Sequence, residues 1–208
     1  MDDLNPVIKI AAMCGSLGES SFNINLIRAA IQASKEFMPR IEIEHIDISS
    51  LPVLNTDLIE NGNYPLVVEA FRQQILKSDC FLFAAPAYYS LSGPLNNAFD
   101  WASQTPNCWE DKQAAMLYAG GGFGGEESLY SLQTIGILLD FCFIDDEFFL
   151  DVYQSPAKFD DDGNLIDDDD KIRLEWVLVS LRNYTLRKKN ARVRRARRMR
   201  KKNPNYLD

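Results

Sequence analysis

From Cys80 to Phe99 no side chain is charged. A run of that length must either cross a bilayer or be covered by protein on every side. Pro86, Gly93, Pro94 and the pair Asn96-Asn97 interrupt it, which argues against a span. The reading is a buried strand, Cys80–Ala85, then a loop, then a helix from Pro94 to Ser103 opened by proline. A strand apolar on both faces belongs in a parallel sheet, where crossover helices cover both sides.

The rest of the chain repeats that unit. Val7–Met13 reads as a first strand and Phe22–Phe37 as its helix, with Leu26, Ala30, Ala33 and Phe37 on one stripe. Ile41–Ile48 alternates as a strand, and Leu66–Lys77 is a second helix after a turn at Asn61-Gly62. Gln113–Ala119, Glu126–Leu138, Phe141–Ile144 and Lys171–Arg187 continue the series. The alternation predicts an α/β fold with a doubly wound, five-stranded parallel sheet in the flavodoxin-like order 2-1-3-4-5. Ligands of such sheets bind outside the carboxyl ends of the strands, where the loops after strands one, three and four converge.

The first of those loops, Cys14 to Asn25, turns through Gly15 and Ser16 into a helix. Unpaired N–H groups and the positive end of the helix dipole favour an anion there, with Ser16, Ser20, Ser21 and Asn23 as added donors. It has no Lys or Arg and lacks the G-x-x-x-x-G-K-[ST] pattern, so a phosphate monoester suits it better than a nucleoside triphosphate. The alternative is a helix start capped by Ser or Asn.

Charge divides the chain. Residues 1–181 carry 10 Lys and Arg against 29 Asp and Glu, or −19; residues 182–208 carry 12 against one, or +11, which together give −8. The expected organisation is a domain over residues 1–187 and a mobile basic tail over 188–208. The tail would suit nucleic acid, but a solvated segment folding back on the acidic body is the simpler expectation. Cys14, Cys80, Cys108 and Cys142 form no C-x-x-C pair and His45 is the one histidine, so reduced thiols and no metal site are expected. The acidic Met1–Pro6 segment has no apolar stretch, so no signal peptide is expected and the cytoplasm is the expected compartment, with the nucleus left open by the tail.

Three segments together resemble the NADPH-dependent FMN reductase-like flavoproteins, nearest the plant-type NAD(P)H:quinone oxidoreductases. They are Gly15-Ser-Leu17 with Ser21-Phe22; Pro86-x-Tyr88 with Ser92-x-Pro94-Leu95-x-Asn97-Ala98-x-Asp100-Trp101-Ala102-Ser103; and Gly120 to Gly125. Asp47-Ile-Ser49, Asn55-Thr-Asp57 and Glu69-Ala-Phe-Arg72 extend the similarity through residues 7–187. The resemblance implies that FMN's phosphate rests on Ser16, Ser21 and Asn23, with Leu17 also among the cofactor-binding residues. It implies that Pro86, Ala87, Tyr88, Tyr89 and Ser90 hold the flavin ring, and that Gly120, Gly121, Gly122 and Gly125 approach its other edge. Hydride would pass from NAD(P)H through the flavin to a quinone or similar flat acceptor, with no catalytic side chain of its own, in a homo-oligomer. A flavin-poor relative acting as a binding or regulatory protein is the alternative.

The chain departs from that pattern wherever family members carry cations. Gly18 and Asn96 stand where Arg and Lys are usual, Glu126-Glu127 where Gly-Arg is usual, and Leu132 or Gln133 where another Arg is common. These changes predict weaker FMN binding and either a preference for NADH over NADPH or a much-reduced reductase rate. Two rival motifs are set aside. Gly120, Gly122 and Gly125 with Asp140 fit G-x-G-x-x-G and its distant acid, but Asp140 precedes its strand and so falls at the wrong sheet edge. Asp160 to Asn164 mimics a calcium loop, but Lys158 occupies the first ligand position, and a hairpin at Gly163-Asn164 is simpler.

Overall fold

The computed structural model describes residues 6–18, 20–86, 91–121, 124–153 and 157–202. Strand β1 (Ile8–Cys14) leads to α1 (Phe22–Phe37), β2 (Ile41–His45), α2 (Leu66–Lys77), β3 (Cys80–Ala84), α3 (Gly93–Ser103) and β4 (Gln113–Gly120). There follow α4 (Gly124–Leu139), β5 (Cys142–Phe143), β6 (Phe148–Asp151) and α5 (Asp168–Lys202). All the ladders are parallel and the order is β2-β1-β3-β4-β5, as the alternation predicts. One strand was not foreseen. β6 continues the edge that β5 begins, pairing Phe148 with Leu117 and Asp151 with Gly120. The acidic Asp145-Asp146-Glu147 interrupts the edge, and beyond it the burial alternation of Phe148–Asp151 resumes pairing.

Two apolar layers hold the sheet. Ile8, Ile10, Ala12 and Cys14 face α1 and α5, where Leu26, Ile27, Leu174, Leu178 and Leu181 are buried. Ala11 and Met13 face the other layer with Phe71, Leu95, Trp101 and Leu132 of α2, α3 and α4. An aromatic cluster packs there, with Phe81 and Trp109 at 5.0 Å and Phe99 and Phe141 stacked at 5.9 Å. Among the described residues no helix is long and apolar enough to cross a membrane.

Several segments that carry the family resemblance are structural. Asn97 accepts from the Leu54 N–H and donates to the Pro52 carbonyl, to which the Trp101 indole also donates at 2.7 Å. Buried Arg72 donates to the carbonyls of Trp101, Gln104 and Pro106, so its guanidinium satisfies the carboxyl end of α3. These contacts fix α3, and α3 floors the site described below.

Helix α5 differs most from expectation. Asp167 accepts the Asp170 N–H and so caps the helix, and Lys158 bridges Asp167 and Asp170 at 2.8 Å each. From there the helix runs without a break past Arg187 to Lys202, about 52 Å at the standard rise. Lys188 and Arg192 pair with Asp111 at 3.0 and 2.9 Å, and Lys189 pairs with Asp79, at the amino edge of β3 and β4. The hairpin expected at Gly163-Asn164 is present, with Phe159 bridged to Leu165 and Gly163 at φ +82°.

Candidate functional site

A cleft of about 720 Å³ opens at the carboxyl edge of the sheet, a volume typical of small-molecule sites. Its walls are the loop after β1, Pro86 after β3, the start of α3 and the end of β4. Ser16, Leu17, Ser21, Asn23, Pro86, Gly120 and Gly121 all line it. Ala87, Tyr88, Tyr89, Ser90 and Gly122 lie outside the described residues. Gly125 is close by but off the cleft. It lines an adjoining hollow of about 210 Å³, where its backbone is packed by Phe149 and Tyr118.

The anion end is built from α1. Ser21 accepts the Asn23 N–H through its side chain and donates its own N–H to the Gly18 carbonyl, which fixes the turn. By helix geometry the N–H groups of Phe22 and Ile24 have no carbonyl partner within α1, and the dipole adds its positive end there. Ser16, Ser20 and Ser21 stand around that terminus. Asn23, which lines the cleft, also has a structural part. Its side chain is buried, donates to the Ala119 carbonyl at 2.8 Å and accepts the Ala119 N–H at 3.0 Å. It therefore ties the first turn of α1 to the end of β4 and sets the width of the cleft.

Several glycines here make room, and none of those described has a positive φ. A methyl on Gly15 would lie 2.3 Å from Ser92 Oγ and 2.8 Å from Leu95 Cδ1, so only glycine lets the loop rest on α3. On Gly120 it would meet the Tyr118 hydroxyl, and on Gly121 the Tyr153 ring at 2.5 Å. The Tyr118 hydroxyl donates to the Gly121 carbonyl at 3.2 Å.

Three contributors went unread in the sequence. Ser92 precedes α3 at the N-cap position, yet its side chain makes no capping bond. Among the described residues its Oγ, buried and lying against the cleft, has no hydrogen-bond partner. A buried hydroxyl in that condition costs about 1–3 kcal/mol, which a polar ligand group would offset. The S-x-P spacing was visible; the vacancy of the hydroxyl was not. Tyr118 was hidden inside an apolar strand run, and exposed Tyr153 follows the unforeseen β6.

The electrostatics match the missing cations. No charged side chain lines the cleft among the described residues, and Glu126 and Asp151 line the adjoining hollow. Asn96 donates to the Leu91 carbonyl at 3.1 Å, and Leu132 is core. Cys14, at the base of the loop, has its thiol pushed up to about 11 by burial, with the Ser16 N–H acting in the opposite direction. Burial thus favours the protonated thiol over the thiolate at neutral pH. Asp140 is a turn residue at φ +61°, before β5 and opposite the cleft, where it cannot reach a ribose.

The described lining suits a flat mononucleotide. It has a helix terminus and hydroxyls for a phosphate, an orphaned serine hydroxyl on the floor, and backbone cleared of side chains for a ring edge. Comparison with known proteins agrees. Residues 8–154 match the model of the family described as NADPH-dependent FMN reductase. The chain is 55% identical over 186 residues to an NAD(P)H:quinone oxidoreductase of Solanum tuberosum, covering 88% of this chain and 96% of that protein. It is also 55% identical to an NADPH:quinone oxidoreductase of Arabidopsis thaliana, covering 88% and 95%. Among solved structures, FerB of Paracoccus denitrificans, a flavoenzyme NAD(P)H:(acceptor) oxidoreductase, superposes with a TM-score of 0.75 at 24% identity. It covers 87% of this chain and 98% of its own, and shows the shared fold.

Proposed function

Because the chain belongs to the NADPH-dependent FMN reductase family, we propose that it works as an NAD(P)H:quinone oxidoreductase with FMN in the cleft at the carboxyl edge of the sheet. When bound, FMN supplies the two-electron step, taking hydride from NAD(P)H and delivering it to a quinone or similar flat acceptor. The chain supplies position. The amino end of α1, with Ser16 and Ser21, holds the phosphate, and Leu17 forms the outer lip. Gly120 and Gly121 let backbone approach the ring, and Pro86 lines the β3 side; the family resemblance assigns further ring contacts to Ala87, Tyr88, Tyr89, Ser90 and Gly122, which lie outside the described residues. The Ser92 hydroxyl, buried in the floor without a partner among the described residues, is the observation that carries this reading.

The uncharged lining also supports a preference between nicotinamides. The extra phosphate of NADPH would approach Glu126 and Asp151 with no compensating cation among the described residues of the cleft, so NADH is the better donor. Tyr130, Ile137 and Leu138 are 64%, 82% and 76% exposed on α4 and support a homo-oligomer built through that helix.

Reconstitution tests the assignment. Purified protein titrated with FMN is expected to develop flavin absorbance and to oxidise NADH faster than NADPH when a benzoquinone is present. Protein that takes up no FMN at millimolar concentration would favour the flavin-poor, regulatory alternative.

A further inference from the structure

Residues 188–202 contain ten Lys and Arg and no acid, and all lie in α5. The helix sorts these cations by face. Lys188 and Arg192, four apart, turn to Asp111, and Lys189 beside them turns to Asp79. Arg194, Arg197 and Arg198, spaced i, i+3, i+4, project from the other side. Residues 189–198 are all exposed, and those three guanidiniums have no ion-pair or hydrogen-bond partner among the described residues. Like charges at that spacing repel within the helix, so the arrangement favours an external anion.

We propose that this outward face of α5 binds the phosphodiester backbone of nucleic acid. The planar guanidinium fork matches phosphate, and a straight basic helix fits the major groove of a duplex, which is about 12 Å wide. A bilayer surface would require an apolar face, and the only large apolar residues here, Val193 and Met199, lie on different sides of the helix. The acidic body of a second copy offers scattered carboxylates, each worth about 0–1 kcal/mol at the surface. A phosphate backbone instead offers a continuous row whose condensed counterions are released on contact. The net charge of −19 over residues 1–181 repels a polyanion, so the helix end alone engages it and the rest of the protein stands off.

The test is fluorescence anisotropy of short labelled DNA and RNA duplexes with the full chain at about 50 and 200 mM salt. Three phosphate contacts give a log–log salt slope of about −2.7, a loss of about 40-fold in affinity across that range. The variant Arg194→Ala/Arg197→Ala/Arg198→Ala is expected to lose that part of the slope while quinone reduction stays unchanged. Alanine favours helix, so α5 persists, and circular dichroism checks it. A gain on one duplex form over the other identifies DNA or RNA as the source of the phosphates. No binding at the lower salt would overturn the proposal, as would equal binding by the variant. So would capture by phosphatidylserine vesicles, or salt-sensitive self-association lost in the variant, with the duplexes ignored.

Discussion

Gly18 is the position at which the weak phosphate end can be tested most directly. It lines the cleft, is exposed, and has open space within 4 Å of where a Cβ would stand. Its φ is not in the left-handed region, so Gly18→Arg places a guanidinium beside the amino end of α1 at no backbone cost. A hydrogen bond to a charged group contributes about 1.5–3 kcal/mol, equivalent to about tenfold to a hundredfold in Kd. The site is solvent-exposed, so the gain falls in the lower half of that range and shrinks once the Debye length drops to about 3 Å near 1 M salt. Quenching of flavin fluorescence measures it, with riboflavin as the control because it has the ring and no phosphate. The variant is expected to tighten FMN at low salt and to leave riboflavin unchanged. Parallel tightening of both flavins, or an FMN Kd within twofold of the parent, would refute the placement of the phosphate on this loop.

Gly15→Ala is expected to lower stability by about 1–3 kcal/mol, because the new methyl meets Ser92 Oγ and Leu95 Cδ1. For a chain of this size thermal melting should fall by about 2–4 °C per kcal/mol, whereas Gly18→Ala melts with the parent. Asn23→Ala removes both bonds to Ala119 and leaves that peptide buried and unpaired, at about 1–3 kcal/mol per group by urea denaturation. It should also weaken FMN binding, and an unchanged Kd would remove Asn23 from the support of the site. Burial holds Cys14 at about 11 and pushes Cys80 up to about 12, both far above pH 8, so these thiols stay protonated there. Native protein treated with iodoacetamide at pH 8 should carry one adduct, on exposed Cys142, by mass spectrometry; a second adduct on Cys14 would contradict the burial described.

What the sequence disclosed followed from local physics. Ser21 before Phe22, and Pro65 before Leu66, punctuate the chain chemically, and α1 and α2 begin at those residues. The uncharged run at Cys80 located the central strand because burial on both faces leaves no room for charge. β6 was illegible because four residues between an acidic interruption and a loop give too short a pattern for periodicity to register. The continuation of α5 past Arg187 has a different origin: Arg and Lys are good helix formers, and Asp79 and Asp111 neutralise one side of the segment that folds back on the acidic body. At the site, residue types were readable and their engagements were not. Asn23, expected at the phosphate, also ties α1 to β4 through both amide atoms, and the buried Ser92 hydroxyl has no partner among the described residues.

That tether couples two halves of the cleft that the chain separates by 96 residues. With Asn23 clasping Ala119 from both amide atoms, the mouth cannot widen on the β4 side without pulling on the first turn of α1. Thermodynamic reciprocity then makes the two occupants answer to each other. An acceptor too thick for the gap would loosen the mononucleotide by the same factor by which the mononucleotide discourages that acceptor. Selectivity for thin, planar oxidants would thus be enforced by a clasp built into the lining of the cleft itself.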